Sequence, residues 1–554
     1  MSLRDHRTLH LLALSVLGCV VLLPELSEDK RMNGREARHA EIAREMVQTG
    51  EYVVPRSLGH PYIDKPPLFH WVAAAVFRLT GRVDIGTARL PSALAGIAAA
   101  LAIYLLGRHW LSARAGLWSA VIWLTFQTVV EWSHMARMDM LMSCLNLYAL
   151  LLATWAAGSR RGWSSWALWC GSSLLATAAV MTKGPQSIFF FVVGVIAVWR
   201  AHRGRWSPPA GFVVTWLVLL VVVVASWLAA CEYENPGHIR RLVRYEFGAG
   251  ISEHAKPLYL YAEQIPIRTL PWFLFVAGAV YAACRRARRS GYDRTLIPVV
   301  FCVAAFVGLT VMPSKRPHYA LPALPMWALL VGMFLDRSAG AASRADDTSS
   351  VERDAREGEA RWLFTWPLKG WLIVSVVAAV VFPAVFWARI PDRTLLLVLC
   401  VGVGALSAFG VFAAFRQHTV SAVRALLATS LVVAAVTMPV RNHWFWEAKD
   451  RVVVSREVAR ILPHDAAVAG YRLPATPVFE TLFFRINRPA LFLQTEEELR
   501  SFLRSQRPCC VVLRTEEAEG VRRLAPGALR EMGTWLIDEE KGRRITVLVT
   551  GKGV

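Results

Sequence analysis

Leu68-Phe69-His70-Trp71-Val72-Ala73-Ala74-Ala75-Val76-Phe77-Arg78-Leu79 is the run on which the threading of this chain turns. A helix rises about 1.5 Å per residue, so crossing a hydrocarbon core roughly 30 Å thick takes about 17–25 apolar residues. The run is too short. Longer runs stand near 9–25, 87–106, 115–132, 138–157, 164–182, 185–199, 210–231, 268–284, 295–312, 318–335, 365–389, 394–415 and 420–440, which predicts about thirteen transmembrane helices. With the N-terminus inside, they leave Arg108, Arg114, Arg200, Arg285, Arg286, Arg288, Arg289, Arg294, the arginines from Arg337 to Arg361, Arg416 and Arg424 on the cytoplasmic side. That is the Lys and Arg asymmetry that orients membrane proteins. Counting 68–79 as a crossing would invert every later loop, so this run is placed in the interface or as a re-entrant segment. Everything after residue 440 then falls outside.

Composition agrees with this threading. The chain has 554 residues, 55% hydrophobic and only 19% charged; a soluble protein of that length would form about three or four domains and lack the polar surface to cover them. A net charge of +21 reads as nucleic-acid binding in a soluble chain, but here most of the excess lies in cytoplasmic loops, so nucleic acid drops out as a partner. The first apolar run follows Arg4 and Arg7 as a signal peptide would, yet no small-residue cleavage site precedes Leu26-Ser27-Glu28-Asp29, so it is expected to stay as a helix. Nine cysteines are too few for a disulfide framework and show no zinc spacing; Cys509 and Cys510 read as small buried hydrophobes in a strand.

Two further segments change character. Residues 336–364 are rich in Ala, Ser, Asp, Glu and Arg and are expected to be a flexible cytoplasmic connection. Residues 441–554 alternate β-rich runs, Ala466–Tyr471, Cys509–Leu513 and Arg544–Thr550, with helix-like stretches, Ser455–Leu462 and Thr495–Ser505. This is the pattern of a small α/β domain following a membrane domain, residues 1–440.

The loop at 27–80 is too patterned for a connector. In Gly34-Arg35-Glu36-Ala37-Arg38-His39-Ala40-Glu41-Ile42-Ala43-Arg44-Glu45-Met46 the apolar residues make one stripe, and Glu41 and Glu45 lie four apart on another face, as in an amphipathic helix lying on the membrane. Further on, Tyr62-Ile63-Asp64-Lys65-Pro66-Pro67 holds Lys65 beside the interfacial run through two prolines of fixed φ. On the same side, Arg137-Met138-Asp139 opens the fourth span, Thr182-Lys183-Gly184-Pro185 closes the fifth, and Ser314-Lys315-Arg316-Pro317-His318-Tyr319 follows the ninth. The loop from Glu232 to Leu270 adds His238, Arg240, Arg241, Arg244, His254 and Lys256. An ionisable group at a span end is costly unless paired or functional, and cations on the outer side run against the orienting rule. Read one by one, these residues are caps, ion pairs and a solvated anchor; together, they describe a cavity that binds phosphate beside carboxylates.

The stretch Glu36 to Met46, with Tyr52-Val53-Val54-Pro55 and Tyr62-Ile63-Asp64-Lys65-Pro66-Pro67-Leu68, resembles the GT-C glycosyltransferases of the protein O-mannosyltransferase and lipid A aminoarabinose transferase superfamily. The resemblance continues through Arg137-Met138-Asp139, Thr182-Lys183-Gly184-Pro185, Leu270-Pro271-Trp272 and Ser314 to Pro322, most of the membrane part; the tail resembles that family's periplasmic domain in position and class alone. It implies a GT-C fold and transfer of a sugar from a polyprenyl-phosphate (undecaprenyl-phosphate) donor to lipid A, another envelope glycan or a protein hydroxyl. In such a site a carboxylate takes the acceptor's proton and cations stabilise the departing phosphate.

By resemblance, the catalytic carboxylates are Glu36 and Asp139, the donor phosphate meets Lys65, Arg244, Lys315, Arg316 and Tyr319, and Arg38, Asp64, Arg137 and Lys183 support them. The family commonly has an Asp-Glu pair where this chain has Arg35 and Glu36, so the base role falls to Glu36. The family's loop arginine falls on Arg244 or, in another register, its place is taken by Glu246. No metal-ligand cluster accompanies these residues and no cofactor is expected; the cations are expected to do what a divalent ion does in soluble sugar transferases. Two competing classes are a lipid or solute transporter, which predicts broken spans at matching positions of two halves, and a non-catalytic scaffold, which Arg35 would favour.

Overall fold

The computed structural model describes residues 3–28, 32, 34–159, 162–201, 209–244, 256–290, 294–312, 314–345, 351–387, 390, 393–442, 450–474, 476–505, 508–538 and 543–550. Glu246 and His254 lie outside these.

The membrane part is a helical bundle. α1 (Leu3–Leu22) is followed by α2 (Gly34–Thr49), a two-stranded hairpin of β1 (Arg56–Ser57) and β2 (His60–Pro61), and α3 (Leu68–Thr80). Then come α4 (Ile85–Trp110), α5 (Ala113–Thr125), α6 (Gln127–Ser133), α7 (Met138–Gly158), α8 (Trp163–Lys183), α9 (Gln186–Ala201), α10 (Ala210–Glu234) and α11 (His238–Arg244). Later helices include Leu260–Arg268, Val276–Ser290, Ile297–Val311, Leu324–Ala345, Val351–Phe386, Arg393–Phe415 and Thr419–Val440. Eight described helices are long and apolar enough to cross a membrane, or nine if the pair Leu260–Arg268 and Trp272–Arg289, bent by 107°, is one span. α3 is only 13 residues long, too short to cross, as the threading requires.

Three expectations are corrected here. The span near 115–132 is two helices, broken at Phe126, whose φ of −65° and ψ of 124° leave the helical region. The described parts of the connection at 336–364 are helical, in Leu324–Ala345 and Val351–Phe386, because Ala, Arg and Glu are strong helix formers. And the charged face of α2 does not lie in solvent. Glu41, Arg44 and Glu45 are all buried, since the C-terminal domain covers them.

Packing in the bundle is close. A methyl group on Gly116 of α5 would stand 2.6 Å from the Tyr104 carbonyl of α4, so the two backbones touch, as small residues allow in membranes. By contrast α10 exposes Val213, Val214, Leu217, Val218, Val221 and Val222. An apolar face of that kind belongs against lipid rather than water.

The C-terminal domain carries a mixed sheet in the order β4-β3-β5-β7-β6, where β3 is Ala467–Tyr471, β4 Ala490–Leu493, β5 Cys509–Arg514, β6 Leu529–Asp538 and β7 Arg543–Thr550. β3 pairs parallel with β4 and β5, and β7 antiparallel with β5 and β6. Alternation along β5 sends Cys510 and Val512 to one face, with Phe479, Leu482 and Phe483, and Cys509, Val511 and Leu513 to the other, with Leu499 and Phe502. Both cysteines are thus buried core residues. β6 carries charge and bulges and so shows no apolar run in the sequence.

This domain is fastened to the first loop. Arg38 Nε donates to Glu480 Oε1 at 2.6 Å, Arg44 Nη1 to the Arg488 carbonyl at 2.8 Å, and Asn487 Nδ2 to the Val83 carbonyl at 3.2 Å. Arg44 also binds Glu41 at 2.5 Å. Glu45 accepts the Leu58 amide and, at 3.2 Å, the Gly59 amide. Burial, with Glu41 as second cause, pushes the Glu45 carboxyl from 4.5 up to about 8, against Arg44 and these amides. A folded value above the unfolded one means that the folded chain holds the extra proton; this stabilisation is complete below about pH 4.5 and is lost as pH rises through about 8. Thermal stability is therefore expected to fall between pH 5 and about 8.5, with E45Q flattening the decline.

Candidate active site

Helix ends place the central groups. Asp139 lies in the first turn of α7 and Lys183 is the last residue of α8, each at the terminus whose backbone dipole favours its charge. Gly184, at φ 95°, turns the chain sharply behind Lys183 in a conformation other residues resist. Asp139 is buried, and its Oδ1 accepts a hydrogen bond from Lys183 Nζ. His318 Nε2 stands 3.9 Å from the same oxygen, and Arg137 Nε 3.8 Å from Oδ2. Asp139 Oδ2 accepts no hydrogen bond among the described residues.

Aromatic rings hold these side chains in place. The Arg137 guanidinium lies 4.6 Å from the Trp132 ring centroid, His318 stacks on Trp132 at 4.3 Å, and Lys183 Nζ lies 4.5 Å from the Tyr319 ring. A single buried carboxylate with cations around it is costly to assemble in a low dielectric and very costly to leave half-made. Such an arrangement is expected where charge itself is the function.

More cations border this cluster. Lys65, half-buried between β2 and α3, acts electrostatically on Lys183. Arg35 shares the neighbourhood of Arg316, Arg137, Arg38 and Tyr319. Lys315 is buried, its Nζ donating to the Lys256 carbonyl at 3.3 Å. Arg38 has Tyr62 and Asp64 beside it. Of the positions singled out in the sequence, Asp139, Lys65, Arg137, Lys183, Arg316 and Tyr319 are thus brought together. Arg244 is not: it ends α11 exposed, and no hydrogen bond or ion pair among the described residues ties it to the cluster.

Glu36 is held by Arg89 and the chain just before Arg137. Its Oε1 accepts from Arg89 Nε at 2.6 Å and from the Ala136 amide at 3.0 Å, and its Oε2 from Arg89 Nη2 at 3.2 Å. Arg89 Nη1 donates in turn to the carbonyls of Leu26 and Glu28. Glu36 therefore clamps α2, α4 and the approach to α7. The signal for its partner was present, since an arginine inside an apolar span must find a carboxylate.

A second buried pair, His39 Nδ1 and His70 Nε2 at 3.0 Å, joins α2 to α3; burial pushes His70 down to about 3, so its ring is neutral. Among the described residues no group of three His, Cys, Asp or Glu could hold a metal ion.

With this geometry in hand, comparison places the chain. Residues 64–227 match the family model described as dolichyl-phosphate-mannose-protein mannosyltransferase. An undecaprenyl phosphate-alpha-4-amino-4-deoxy-L-arabinose arabinosyl transferase of Pseudomonas aeruginosa is 29% identical over 351 residues, 60% of each chain. The enzyme of that name from Edwardsiella ictaluri is 27% identical over 322 residues; the match spans 56% of its length and 56% of this chain. Crystal structures of ArnT from Cupriavidus metallidurans, apo and bound to undecaprenyl phosphate, superpose with TM-scores of 0.65 and 0.64. At 16% and 17% identity these cover 99% and 100% of this chain, and 98% and 99% of theirs. The mannosyltransferase match over part of the chain and the arabinosyl transferase relatives make this chain similar to the protein O-mannosyltransferase and lipid A aminoarabinose transferase superfamily, and the full-length superposition shows that it has the polytopic GT-C membrane fold of ArnT.

Proposed function

We propose that the chain is an integral-membrane glycosyltransferase that moves a sugar from a polyprenyl-phosphate donor to an acceptor at the outer face of a bacterial inner membrane, with the C-terminal domain on that face. The observation that carries this reading is the buried Asp139 ringed by Lys183, Arg137 and His318, with Lys65 and Arg316 beside it. The relatives, undecaprenyl phosphate-alpha-4-amino-4-deoxy-L-arabinose arabinosyl transferases, support it.

The chemistry asks for two things. As the acceptor oxygen bonds to the anomeric carbon, the bond to the phosphate oxygen breaks and negative charge collects on the phosphate. Lys65, Lys183 and Arg316 are proposed to stabilise that charge. Asp139 Oδ2 is proposed to receive the acceptor's proton. An apolar groove of about 340 Å³, lined by Tyr261, Ile265, Phe273, Val299, Phe306 and Trp327, adjoins these cations through the Tyr261 hydroxyl, which donates to the Arg316 carbonyl at 3.2 Å. It is the proposed berth of the prenyl chain. Lipid A, another envelope glycan or a protein hydroxyl is the proposed acceptor; mass spectrometry of all three from a strain lacking this chain identifies it as the species that loses a sugar.

The direct test is titration of the purified protein with undecaprenyl phosphate. The wild type is expected to bind, and K65A to bind roughly 10–100-fold more weakly, the worth of one hydrogen bond between charged groups. Equal affinity for both would remove Lys65 from the donor site, and no binding by either would remove the donor.

A further inference from the structure

The way the C-terminal domain grips the first loop has a consequence for the site. Glu480, in the first turn of the helix Pro477–Ile486, is fully buried. Its Oε1 accepts both Arg38 Nε at 2.6 Å and Ser57 Oγ at 3.0 Å. Arg38 lies one turn along α2 from Arg35, and Ser57 ends β1, in the hairpin that leads through Tyr62 to Lys65. One carboxylate of the C-terminal domain thus fixes both elements that carry the outer cations of the site. The hairpin is gripped at other points as well. Leu58 at its tip packs into the domain's core with Val454, Phe479, Leu482 and Phe483, and His60 Nε2 meets the Leu473 carbonyl at 3.3 Å.

The detail of the Arg38 contact matters more than its presence. A guanidinium has five N–H donors, and a pair built for stability usually engages carboxylate fork to fork. Arg38 gives Glu480 only its Nε, the Arg38 side chain is 27% exposed, and Tyr62 and the carboxylate of Asp64, in the stretch leading to Lys65, lie near it. Glu480 Oε2 is buried without a hydrogen-bond partner, a cost that a second arginine nitrogen would have removed. Holding an arginine by Nε alone leaves the N–H groups on the far edge of its guanidinium available to a second anion, and neither terminal nitrogen of Arg38 is hydrogen-bonded to Glu480.

We infer that Glu480 is a positioning residue for the donor site: through Arg38 and Ser57 the docked C-terminal domain sets the Arg38 terminal N–H groups and the Lys65 stretch around the donor phosphate. The site in the membrane domain is then incomplete without that domain seated. This rests on the phosphate-donor reading above.

The test uses the full-length protein in detergent, titrated with undecaprenyl phosphate, as wild type, E480Q, R38A and R38A/E480Q. E480Q and R38A are each expected to raise Kd roughly tenfold, and the double variant to lose less than the two single losses combined, because the Arg38 route is shared. Partial unfolding lowers the amount bound without moving the Kd of the folded remainder, so Kd is the readout. R38K supplies a second route if the Glu480 variants do not fold. A lysine has one nitrogen and cannot both pair with Glu480 and reach the ligand, so its Kd is also expected to rise roughly tenfold. Wild-type affinity in E480Q or R38K, or additive losses in the double variant, overturns the inference. Binding by the wild type that these variants match would sink the inference alone, whereas no binding by the wild type would sink the donor reading and the inference with it.

Discussion

Asp139→Asn is expected to lower sugar transfer by about 10²–10⁴-fold, the usual contribution of a positioned proton acceptor. The same change leaves Lys183, Arg137 and His318 around a neutral amide. Breaking a buried pair by removing one partner costs about 3–5 kcal/mol, because the remaining charge has no water to return to. A loss of activity in D139N alone therefore has two sources. Following unfolding and transfer on the same D139N protein separates them: a variant that stays folded at the assay temperature and still loses transfer has lost the proton acceptor, whereas a variant that unfolds there has lost the pair. The measurement is release of labelled sugar from a polyprenyl-phosphate donor in membranes, with unfolding followed in detergent. Undiminished transfer in a folded D139N protein would take Asp139 out of the chemistry.

The second large effect is expected at Glu36, and its nature differs. Both Glu36 oxygens are occupied by Arg89, and one also by the Ala136 amide. Glu36→Gln leaves the Arg89 charge buried, so the expected loss is again about 3–5 kcal/mol of stability. Replacing both partners by apolar residues of similar volume, as in E36L/R89M, is often neutral or stabilising for such pairs. A folded E36L/R89M protein that still transfers sugar identifies Glu36 as a clamp. A folded double variant reduced about 10²–10⁴-fold assigns it the base role that its place in the family pattern implies.

How much of this was legible beforehand follows from the range of each interaction. Apolar runs are local, so the helices were placed well, and the short run at 68–79 appears as α3, a 13-residue helix. Local alternation likewise marked β3, β5 and β7. β4 and β6 were missed because β4 is short and β6 mixes charge with bulges. Among the site residues, Asp139 and Lys183 were conspicuous as charges at span ends, and they meet across 44 positions. Glu480, which holds Arg38 from 442 positions away, carried no local mark; a lone glutamate in a soluble domain looks like any solvated one.

The sequence by itself determined that this chain is a polytopic membrane protein, where its helices run, and that a small α/β domain follows them. It also marked the outer cations by their breach of the orienting rule. These follow from solvation, which acts on each segment separately: an apolar run must leave water, and an arginine prefers one side of a membrane. Only the tertiary structure decided which charges meet. It gave Glu36 to Arg89 and Asp139 to Lys183, left Arg244 apart, and buried Glu41, Arg44 and Glu45 beneath the C-terminal domain. Charge pairing is a property of geometry among distant segments, and in a low dielectric an ångström or two decides whether a charge is a clamp, a cost or a catalyst.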